Sequence, residues 1–325
     1  MPTQLPLIPD FPQTTEKARP FLKWAGGKTQ LLPQFRKLYP AELKQGRLTK
    51  YVDPFLGGGA VFFDVVQSFP IQRAFLYDIN EELILIYKVV QRRVEELIAK
   101  LKKLSDQYYQ LDDEQRSVFY YQIRSELNAQ RAEIDFDSFS AEWIDRAAMM
   151  LFLNRTCFNG LFRLNRKGEF NVPFGRYKRP KILDIDNLLN ASRILQLAEI
   201  HHGDFEKSAE VIDSNTFVYF DPPYKPISKT SSFTSYSKDS FDDEDQIRLA
   251  HYFRYLDKTT GAKLMLSNSD PTNIDPSDRF FEEIYEGFHI YHVLANRMIN
   301  SVAQKRGPIR ELVVTNYRVE RFDEQ

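Results

Sequence analysis

Short apolar runs and longer amphipathic stretches divide the chain into predicted strands and helices. Seven runs of apolar, β-branched and aromatic residues are bounded by turn residues, which is typical of buried strands. From Leu83 to Leu104, apolar residues recur every three or four positions, which predicts one amphipathic helix beginning at Glu81. Residues 105–153 contain no strand pattern and are predicted to continue as helix. The predicted strands cover residues 51–52, 73–77, 198–201, 217–220, 262–267, 289–294 and 311–317.

The order of these elements predicts an α/β protein built from two pieces of sequence. The strand patterns lie in residues 17–84 and 186–325, and a helical and basic insertion at residues 85–185 separates them. We expect both pieces to join one sheet, because alternating strands and helices build open α/β sheets that bind ligands at their strand ends. Residues 1–16 contain four prolines and are predicted to form a flexible tail.

The composition excludes several classes of protein. With 325 residues, 42% of them apolar, the chain can form one large domain or two smaller ones. The longest apolar run, residues 147–153, is far shorter than the ~20 residues of a membrane span, and the N-terminus has no signal-peptide pattern. Cys157 is the only cysteine, so no disulfide within the chain is possible, and no metal site is predicted. We therefore expect a cytoplasmic protein.

The net charge of −1 hides one strongly basic region. Residues 155–181 carry eight basic side chains and one acidic side chain, with phenylalanine, tyrosine and asparagine residues between them. Basic groups bind phosphates and aromatic rings stack on bases, so this mixture is typical of nucleic-acid-binding surfaces. The alternative interpretation of such a charge run is a solvated loop.

The motif Asp221-Pro222-Pro223-Tyr224 is the strongest candidate for chemistry. It follows the predicted strand 217–220, and therefore lies in the crevice where open α/β sheets bind ligands. An aryl amine, such as the 6-amino group of adenine, is a weak nucleophile because its lone pair is delocalised into the ring. The Asp221 carboxylate and the Pro222 carbonyl can accept its two N–H bonds and stabilise the positive charge that develops on attack. Tyr224 can stack on a base that has left the duplex. The alternative interpretation of the motif is an ordinary proline turn after a strand.

The segment from Asp53 to Gly59 is a candidate cofactor site. Three glycines let the backbone approach a ligand, and Asp78, which ends the next predicted strand, can hold ribose hydroxyls. A dinucleotide is disfavoured as the ligand, because Phe62 occupies the place of the third glycine in Gly-x-Gly-x-x-Gly. Without Asp78, a plain tight turn would be an equally good interpretation.

A second glycine-containing segment, residues 21–29, ends like a phosphate-binding P-loop. Leu22 stands where the first glycine of a P-loop is required, and no buried strand precedes the segment. An NTPase is therefore disfavoured. We expect instead that Trp24 and Lys28 close over a cofactor that carries a carboxylate, with Lys28 as its counter-ion.

Together these segments resemble the Dam-type adenine-specific DNA methyltransferases. These enzymes transfer a methyl group from S-adenosylmethionine to the adenine amino nitrogen in a short duplex site, typically GATC. The resemblance extends over nearly the whole chain after the tail. It rests on residues 21–28, 53–59, 78–80, 154–155, 158–161, 168–177, 221–224 and 233–236.

The resemblance implies a class I methyltransferase fold, with a mixed seven-stranded sheet that a helical and β-hairpin DNA-recognition insertion interrupts. It implies that residues 221–224 hold a flipped adenine and are catalytic. Phe158 stands where the family commonly has tyrosine, and Asp53 stands where several members have glutamate. The implied cofactor-binding residues are Trp24, Ala25, Gly26, Lys28, Asp53, Phe55, Gly57, Gly59, Asp78, Ile79, Asp204 and Asp221. The implied DNA-binding residues are Lys23, Phe158, Asn159, Leu161, Arg163, Pro173, Arg176, Tyr177, Lys178, Phe233, Tyr236 and Arg297.

These observations predict a DNA adenine N6-methyltransferase that acts by direct in-line transfer, without a covalent intermediate on the enzyme and without a metal. We expect double-stranded DNA with GATC sites as substrate, association with the nucleoid, and a monomer without an obligate protein partner. Residues 228–240 are predicted either to order over the flipped base or to be a simple connector. Three alternatives remain open: methylation of adenine in RNA, methylation of a protein glutamine amide, and a DNA-binding module without catalysis.

Overall fold

The computed structural model describes residues 16–165, 167–224, 241–296 and 308–319. Three implied DNA-binding residues lie outside these ranges, as do residues 228–240 and nearly all of the predicted tail. Within the described ranges, no helix combines the length and the apolar character needed to cross a membrane. The same ranges contain no group of His, Cys, Asp and Glu side chains arranged to hold a metal ion. The three implied residues outside the ranges are Phe233, Tyr236 and Arg297.

Within the described residues, seven strands form one mixed sheet, and all seven predicted strands are confirmed with ends that differ by a few residues. The strands are β1 (Lys50–Asp53), β2 (Arg73–Asp78), β3 (Ala198–His202), β4 (Thr216–Phe220), β5 (Lys263–Ser269), β6 (His289–Asn296) and β7 (Pro308–Thr315). Their order across the sheet is β3-β2-β1-β4-β5-β7-β6. Strands β1 to β5 run parallel, and β7 lies antiparallel between β5 and β6. The parallel part therefore places its strand ends along one edge.

Helices pack on both faces of this sheet. Alternate residues of a strand point to opposite faces, so Tyr51 and Phe217 join one apolar core while Val52 and Val218 join the other. The first core contains α1 to α8 and the second contains α9 and α10. These helices are α1 (Leu32–Leu38), α2 (Ala41–Lys44), α3 (Ala60–Ser68), α4 (Glu81–Arg92), α5 (Val94–Gln110), α6 (Asp113–Gln130), α7 (Glu142–Thr156), α8 (Ile185–Leu195), α9 (Asp243–Thr260) and α10 (Phe280–Ile284).

The prediction of one helix from Glu81 to Leu104 is wrong, because the chain breaks between α4 and α5. The side chain of Asn80 caps α4 by accepting two backbone N–H groups, as a helix start requires. Arg93 then adopts φ −141° and ψ 40°, which ends the helix even though the apolar stripe continues. Neither proline nor glycine marks this position, so the periodicity alone indicated one continuous helix.

The prediction that residues 105–153 are continuous helix is also wrong. After α5 ends, Asp112 and Gln115 form a capping box that starts α6, and residues 131–141 between α6 and α7 are not helical. The hairpin expected in the insertion is small among the described residues. It consists of isolated antiparallel bridges that pair Cys157 with Phe174 and Leu164 with Phe170.

A buried ion pair connects the insertion helices to the helix that follows β2. Arg146 of α7 donates from Nε to Glu82 Oε2 of α4 at 2.8 Å, and both side chains are at most 2% exposed. Arg146 also donates from Nη1 to the Leu127 carbonyl of α6 at 2.9 Å. Removing one partner would leave a buried charge unpaired, so this contact favours the packing of α6 and α7 against α4.

Candidate active site

Three aspartates lie where neighbouring strands end. Strand β1 ends at Asp53, β2 ends at Asp78, and Asp221 directly follows β4. Because these strands are adjacent and parallel, their carboxyl ends share one edge of the sheet. Asp53 and Asp221 line a cavity of about 400 Å³ at this edge, a size typical of small-molecule sites.

The cavity brings residues of the implied cofactor set and DNA set together. Lys23 and Asn159 of the DNA set lie in its wall. From the cofactor set, its wall includes Trp24, Gly26, Lys28, Asp53, Phe55, Gly59 and Asp221. The remaining members of that set, Ala25, Gly57, Asp78, Ile79 and Asp204, are not part of the wall. The two implied functions therefore converge on one cleft.

Trp24 packs directly against the glycine turn. Gly57 has φ +47°, and a Cβ atom added there would lie 3.0 Å from Trp24 Nε1. A Cβ atom on Gly58 would lie 3.1 Å from the Trp24 Cβ. The turn therefore requires glycine both for its backbone conformation and for space. The Trp24 ring also lies 5.1 Å from the Phe162 ring, which links the turn to the insertion.

Asp78 is held beside this turn by backbone donors. Its Oδ2 accepts the N–H of Gly57 at 3.0 Å, and its Oδ1 accepts the N–H of Asn80 at 2.9 Å. Burial raises the pKa of Asp78, while these two hydrogen bonds oppose the rise. The next side chain, Ile79, is 61% exposed. A carboxylate and an open apolar surface thus stand side by side, an arrangement suited to a ribose and an attached base.

Asp53 is more deeply buried, with 2% of its surface exposed. The Tyr51 hydroxyl donates to its Oδ2 at 2.9 Å, and the Phe55 N–H donates to its Oδ1 at 3.3 Å. Burial raises the pKa of Asp53 to about 8, and the nearby Asp221 carboxylate adds to this rise. A positively charged ligand in the cavity would favour the ionised form of Asp53.

Lys28 pairs with Asp221 inside the cavity. Its Nζ lies 2.8 Å from Asp221 Oδ1 and donates to the Gly26 carbonyl at 2.5 Å. The exposed fractions of the Lys28 and Asp221 side chains are 4% and 23%. Burial raises the pKa of Asp221, and the Lys28 ammonium opposes that rise. The structure thus gives Lys28 an acidic partner within the chain, whereas its role as counter-ion for a cofactor carboxylate stays a prediction.

We call residues 221–224 the motif turn. Ser267 of β5 donates from Oγ to Asp221 Oδ1 at 3.2 Å, and the Tyr219 hydroxyl lies 2.7 Å from Ser267 Oγ. Tyr224 donates its hydroxyl to Glu311 Oε2 of β7 at 2.5 Å. The Tyr224 ring also lies 4.4 Å from the Nζ of Lys28. Side chains from two neighbouring strands therefore fix both ends of the motif turn.

Sequence reasoning missed Ser267 and Glu311. Each lies far along the chain from the motif turn and belongs to no recognisable motif. One signal was present for Ser267, because the apolar run 264–266 changes abruptly to four polar residues, 267–270. Polar residues at the end of a buried strand in the parallel part of the sheet point to the ligand-binding edge.

Asp204, which the resemblance implied for the cofactor, has a partner of its own. Its Oδ1 and Oδ2 accept hydrogen bonds from the two terminal nitrogens of Arg248, at 3.0 and 2.9 Å. Burial by itself raises the pKa of Asp204, but the Arg248 guanidinium opposes this rise, and the pKa lies below its usual value. Its role toward a cofactor stays a prediction.

We call residues 155–181 the basic segment. Many of its implied DNA-binding side chains face outward: Phe158 is 50% exposed, and Asn159, Pro173, Arg176 and Lys178 are also exposed. Leu161, Arg163 and Tyr177 are partly buried. Lys23, from outside the segment, places its Nζ 4.9 Å from the Tyr177 ring, and Arg163 donates from Nε to Asn171 Oδ1 at 2.7 Å.

Helix α6 holds the backbone of the basic segment. Asn128 donates from Nδ2 to the Phe170 carbonyl at 3.1 Å, and its Oδ1 accepts the Phe170 N–H at 2.8 Å. The Tyr120 hydroxyl and the Arg124 guanidinium both donate to the Val172 carbonyl, at 2.8 and 3.2 Å. The helix therefore fixes the main chain and leaves the outward side chains free to make contacts.

The strand order and the cleft at the edge of the sheet define a class I methyltransferase fold. The family described as D12 class N6 adenine-specific DNA methyltransferase matches residues 24–299. The chain belongs to this family and is an adenine-specific DNA methyltransferase, as the resemblance implied.

Individual relatives agree with the family match. The chain is 52% identical over 302 residues to the Type II methyltransferase M.MjaIII of Methanocaldococcus jannaschii, covering 93% of this chain and 100% of that protein. It is 40% identical over 301 residues to the Type II methyltransferase M1.LlaDCHI of Lactococcus lactis subsp. cremoris, covering 92% and 95%. It is 34% identical over 297 residues to a DNA adenine methylase of Haemophilus influenzae, covering 91% and 93%.

Proposed function

We propose that this enzyme transfers a methyl group from S-adenosylmethionine to the N6 atom of a flipped adenine within GATC sites of double-stranded DNA. The observation that carries this proposal is the meeting of Asp221, the glycine turn and Asn159 of the basic segment around one cavity. The enzyme acts as a monomer, on DNA in the cytoplasm. Residues 17–84 and 186–325 form its catalytic part, and residues 85–185 form its DNA-recognition part.

The residues in and beside the cavity fit S-adenosylmethionine. The glycine turn packs against Trp24 in the cavity wall, and Asp78, which accepts the Gly57 N–H beside that wall, stands next to the exposed Ile79 in an arrangement that suits a ribose and its base. Asp53 is a buried carboxyl that gains from a nearby positive charge. When bound, S-adenosylmethionine supplies a methyl group that its positively charged sulfur activates for transfer.

The motif turn activates the acceptor nitrogen. Asp221 Oδ1 already binds Lys28 and Ser267, so we assign its Oδ2 to one N–H of the adenine amino group. The Pro222 carbonyl accepts the other N–H. These acceptors draw the lone pair out of the ring and stabilise the positive charge that develops on the nitrogen. Tyr224 stacks on the base, which must leave the duplex to reach the cavity.

The basic segment selects the site on DNA. Phe158 and Asn159 enter the base stack, while Arg176 and Lys178 bind the phosphates. The exposure of these side chains, together with the fixed backbone behind them, supports this assignment. Direct contacts to base edges contribute about 1–3 kcal/mol each to discrimination, so a few substitutions here would redirect the enzyme to another sequence.

The proposal is tested by single-molecule sequencing of plasmid DNA from a methylation-deficient host that expresses the wild-type protein or the Asp221→Ala variant. We expect N6-methyladenine confined to GATC with the wild type and none with the variant. Modified adenine in another sequence would overturn the assignment to GATC. Unmodified DNA from cells with folded wild-type protein would overturn the proposal, and labelled-methyl transfer to RNA or protein would then identify the substrate.

A further inference from the structure

A chain of side-chain amides runs from strand β5 to the motif turn. The Ser269 N–H donates to Asn268 Oδ1 at 2.8 Å, and Asn268 Nδ2 donates to Gln246 Oε1 of α9 at 3.0 Å. Gln246 Nε2 then donates to the Pro223 carbonyl at 3.0 Å. Gln246 and Asn268 are both fully buried, at 0% exposure. Neither residue belongs to the motifs found in the sequence.

The direction of this chain is fixed at both ends by the backbone. A backbone N–H can only donate and a carbonyl can only accept, so Asn268 must present its oxygen to Ser269 and its nitrogen to Gln246. Gln246 must then present its nitrogen to Pro223. Turning either amide over would bring two acceptors together inside the protein, with an unsatisfied carbonyl costing about 1–3 kcal/mol.

The last hydrogen bond orients the peptide between Pro223 and Tyr224. It engages the Pro223 carbonyl from within the protein, and it fixes the backbone from which the Tyr224 side chain extends. Tyr224 in turn contacts Lys28 and Glu311. The amide chain also joins residues on either side of the segment 225–240, because Pro223 precedes this segment and Gln246 follows it.

We infer that Gln246 and Asn268 are positioning residues for methyl transfer: they hold the motif turn in the orientation that presents Asp221, the Pro222 carbonyl and Tyr224 to the adenine. This inference rests on the proposed function of the motif turn. Under this inference, Asn268 affects the methylation rate only by orienting the amide of Gln246. A displacement of about 1 Å in an active site can lower the rate by ~10²-fold, so small rotations of this turn matter.

The first test replaces Gln246, the donor of the last hydrogen bond, with side chains of similar size. Gln246→Met removes the donor without adding charge, and Gln246→Glu places an acceptor against the Pro223 carbonyl when the buried carboxyl is ionised. We expect the single-turnover methylation rate to fall ~10–100-fold in both variants. The dissociation constants for S-adenosylhomocysteine and for a GATC duplex should change less than about threefold. Gln72→Glu, at an exposed position on the opposite edge of the sheet, is the matched control.

The second test asks whether Asn268 acts through Gln246. When the new carboxyl is ionised, Asn268→Asp removes the donor to Gln246 Oε1, so we expect the Gln246 amide to turn toward the carboxylate and present its oxygen to Pro223. We expect a rate loss similar to that of Gln246→Glu. In the Gln246→Met background, Asn268→Asp should change the rate by less than about twofold, because the connection is already broken.

Three results would overturn the inference. The first is a wild-type rate in a folded Gln246→Met variant, which has no donor for the Pro223 carbonyl. The second is a loss of cofactor or DNA affinity as large as the loss of rate, which would indicate a merely structural role. The third is a full effect of Asn268→Asp in the Gln246→Met background. Failure of the proposed function itself is distinguishable, since the wild-type protein would then methylate no adenine.

Discussion

The motif turn and the basic segment are held in opposite ways. Side chains fix the motif turn from several elements: Lys28 and Ser267 bind Asp221, and Glu311 binds Tyr224. In the basic segment, α6 fixes the backbone, and side chains such as Arg176 and Lys178 point outward. The chain's own side chains thus fix the motif turn, whereas side chains of the basic segment such as Arg176 and Lys178 are exposed.

This difference separates two kinds of substitution. A change in the motif turn disturbs a buried network in which each polar group depends on its neighbour, so its effect should fall on the methylation rate. A change in the outward side chains of the basic segment removes one contact and leaves the network intact. Substitutions in the two regions can therefore show whether rate and specificity are separable.

The largest effect is expected from Lys28→Met. The substitution leaves the largely buried Asp221 without its cation, so the pKa of Asp221 rises further and a larger fraction of the carboxyl becomes protonated. A protonated Asp221 accepts the adenine N–H poorly, so the methylation rate should fall by at least ~10²-fold. The loss should be smaller at high pH, because only the ionised carboxylate is competent.

Measured rates of the Lys28→Met variant from pH 6 to 9 test this expectation, with Lys37→Met as a control at an exposed lysine. Equal rates in the Lys28→Met and wild-type enzymes would show that the buried pair is not needed. A rate loss with no dependence on pH would contradict the explanation through Asp221.

The second prediction concerns the stability of the ligand-free protein. Asp53 has a pKa of about 8 in the folded state and an ordinary value near 3.8 when exposed. Between these values the folded state binds the proton more tightly, so the free energy of unfolding falls as pH rises toward about 8. The Asn side chain of Asp53→Asn binds no such proton. From pH 6 to 8.5, the free energy of unfolding of the wild type should therefore fall by about 1–3 kcal/mol more than that of the variant.

Chemical denaturation of both proteins at several pH values measures this difference. Parallel stability curves for the wild type and Asp53→Asn would contradict a raised pKa for the buried carboxyl. Adding S-adenosylmethionine should reduce the difference, because its positive charge favours the ionised form of Asp53.

The third prediction concerns the backbone support in the basic segment. Asn128→Ala removes both hydrogen bonds to Phe170 and loosens the main chain that carries the side chains proposed to recognise DNA. We expect the preference for GATC over a site with one altered base to fall ~10-fold, while affinity for S-adenosylhomocysteine stays unchanged. Competition assays with paired duplexes measure this ratio, and Gln122→Ala on the exposed face of α6 is the control. An unchanged ratio would show that α6 does not support recognition.

The smallest effect is expected from Lys178→Ala. Loss of one phosphate contact should weaken binding severalfold for all DNA sequences alike and reduce the salt dependence by about one counterion. Titrations of a GATC duplex and a scrambled duplex at salt concentrations from about 50 to about 200 mM test this prediction. A change confined to GATC would instead identify Lys178 as a residue that reads bases.

The sequence predicts the sheet better than it predicts the helices around it. Buried strands such as 217–220 are short, apolar and bounded by turns, so local composition identifies them. The break at Arg93 depends on how α4 and α5 pack, and the stripe of apolar residues shows no interruption there. Helical periodicity in the insertion therefore indicated the element type correctly but not its continuity.

The same limit applies to the active site. Asp221 and Asp78 were identifiable because each follows an apolar strand and adjoins a turn. Ser267, Glu311 and Gln246 reach the motif turn from separate elements, and only the strand order brings them close. A single sequence indicates where strands end but not which strands become neighbours. Residues that contact the motif turn from another element were therefore missed.

The position of the insertion has a consequence for how such enzymes diversify. Strands β2 and β3 are paired neighbours, yet all of residues 79–197 lie between them. The entropy lost in closing a connection grows only with the logarithm of its length, so doubling it adds about 0.6 kcal/mol. Lengthening this crossover therefore adds little closure entropy, provided that the Arg146–Glu82 ion pair and the apolar core shared by the insertion helices and the sheet are kept. Under the proposed division of roles, new target sequences can evolve there while the sheet and the motif turn are inherited unchanged.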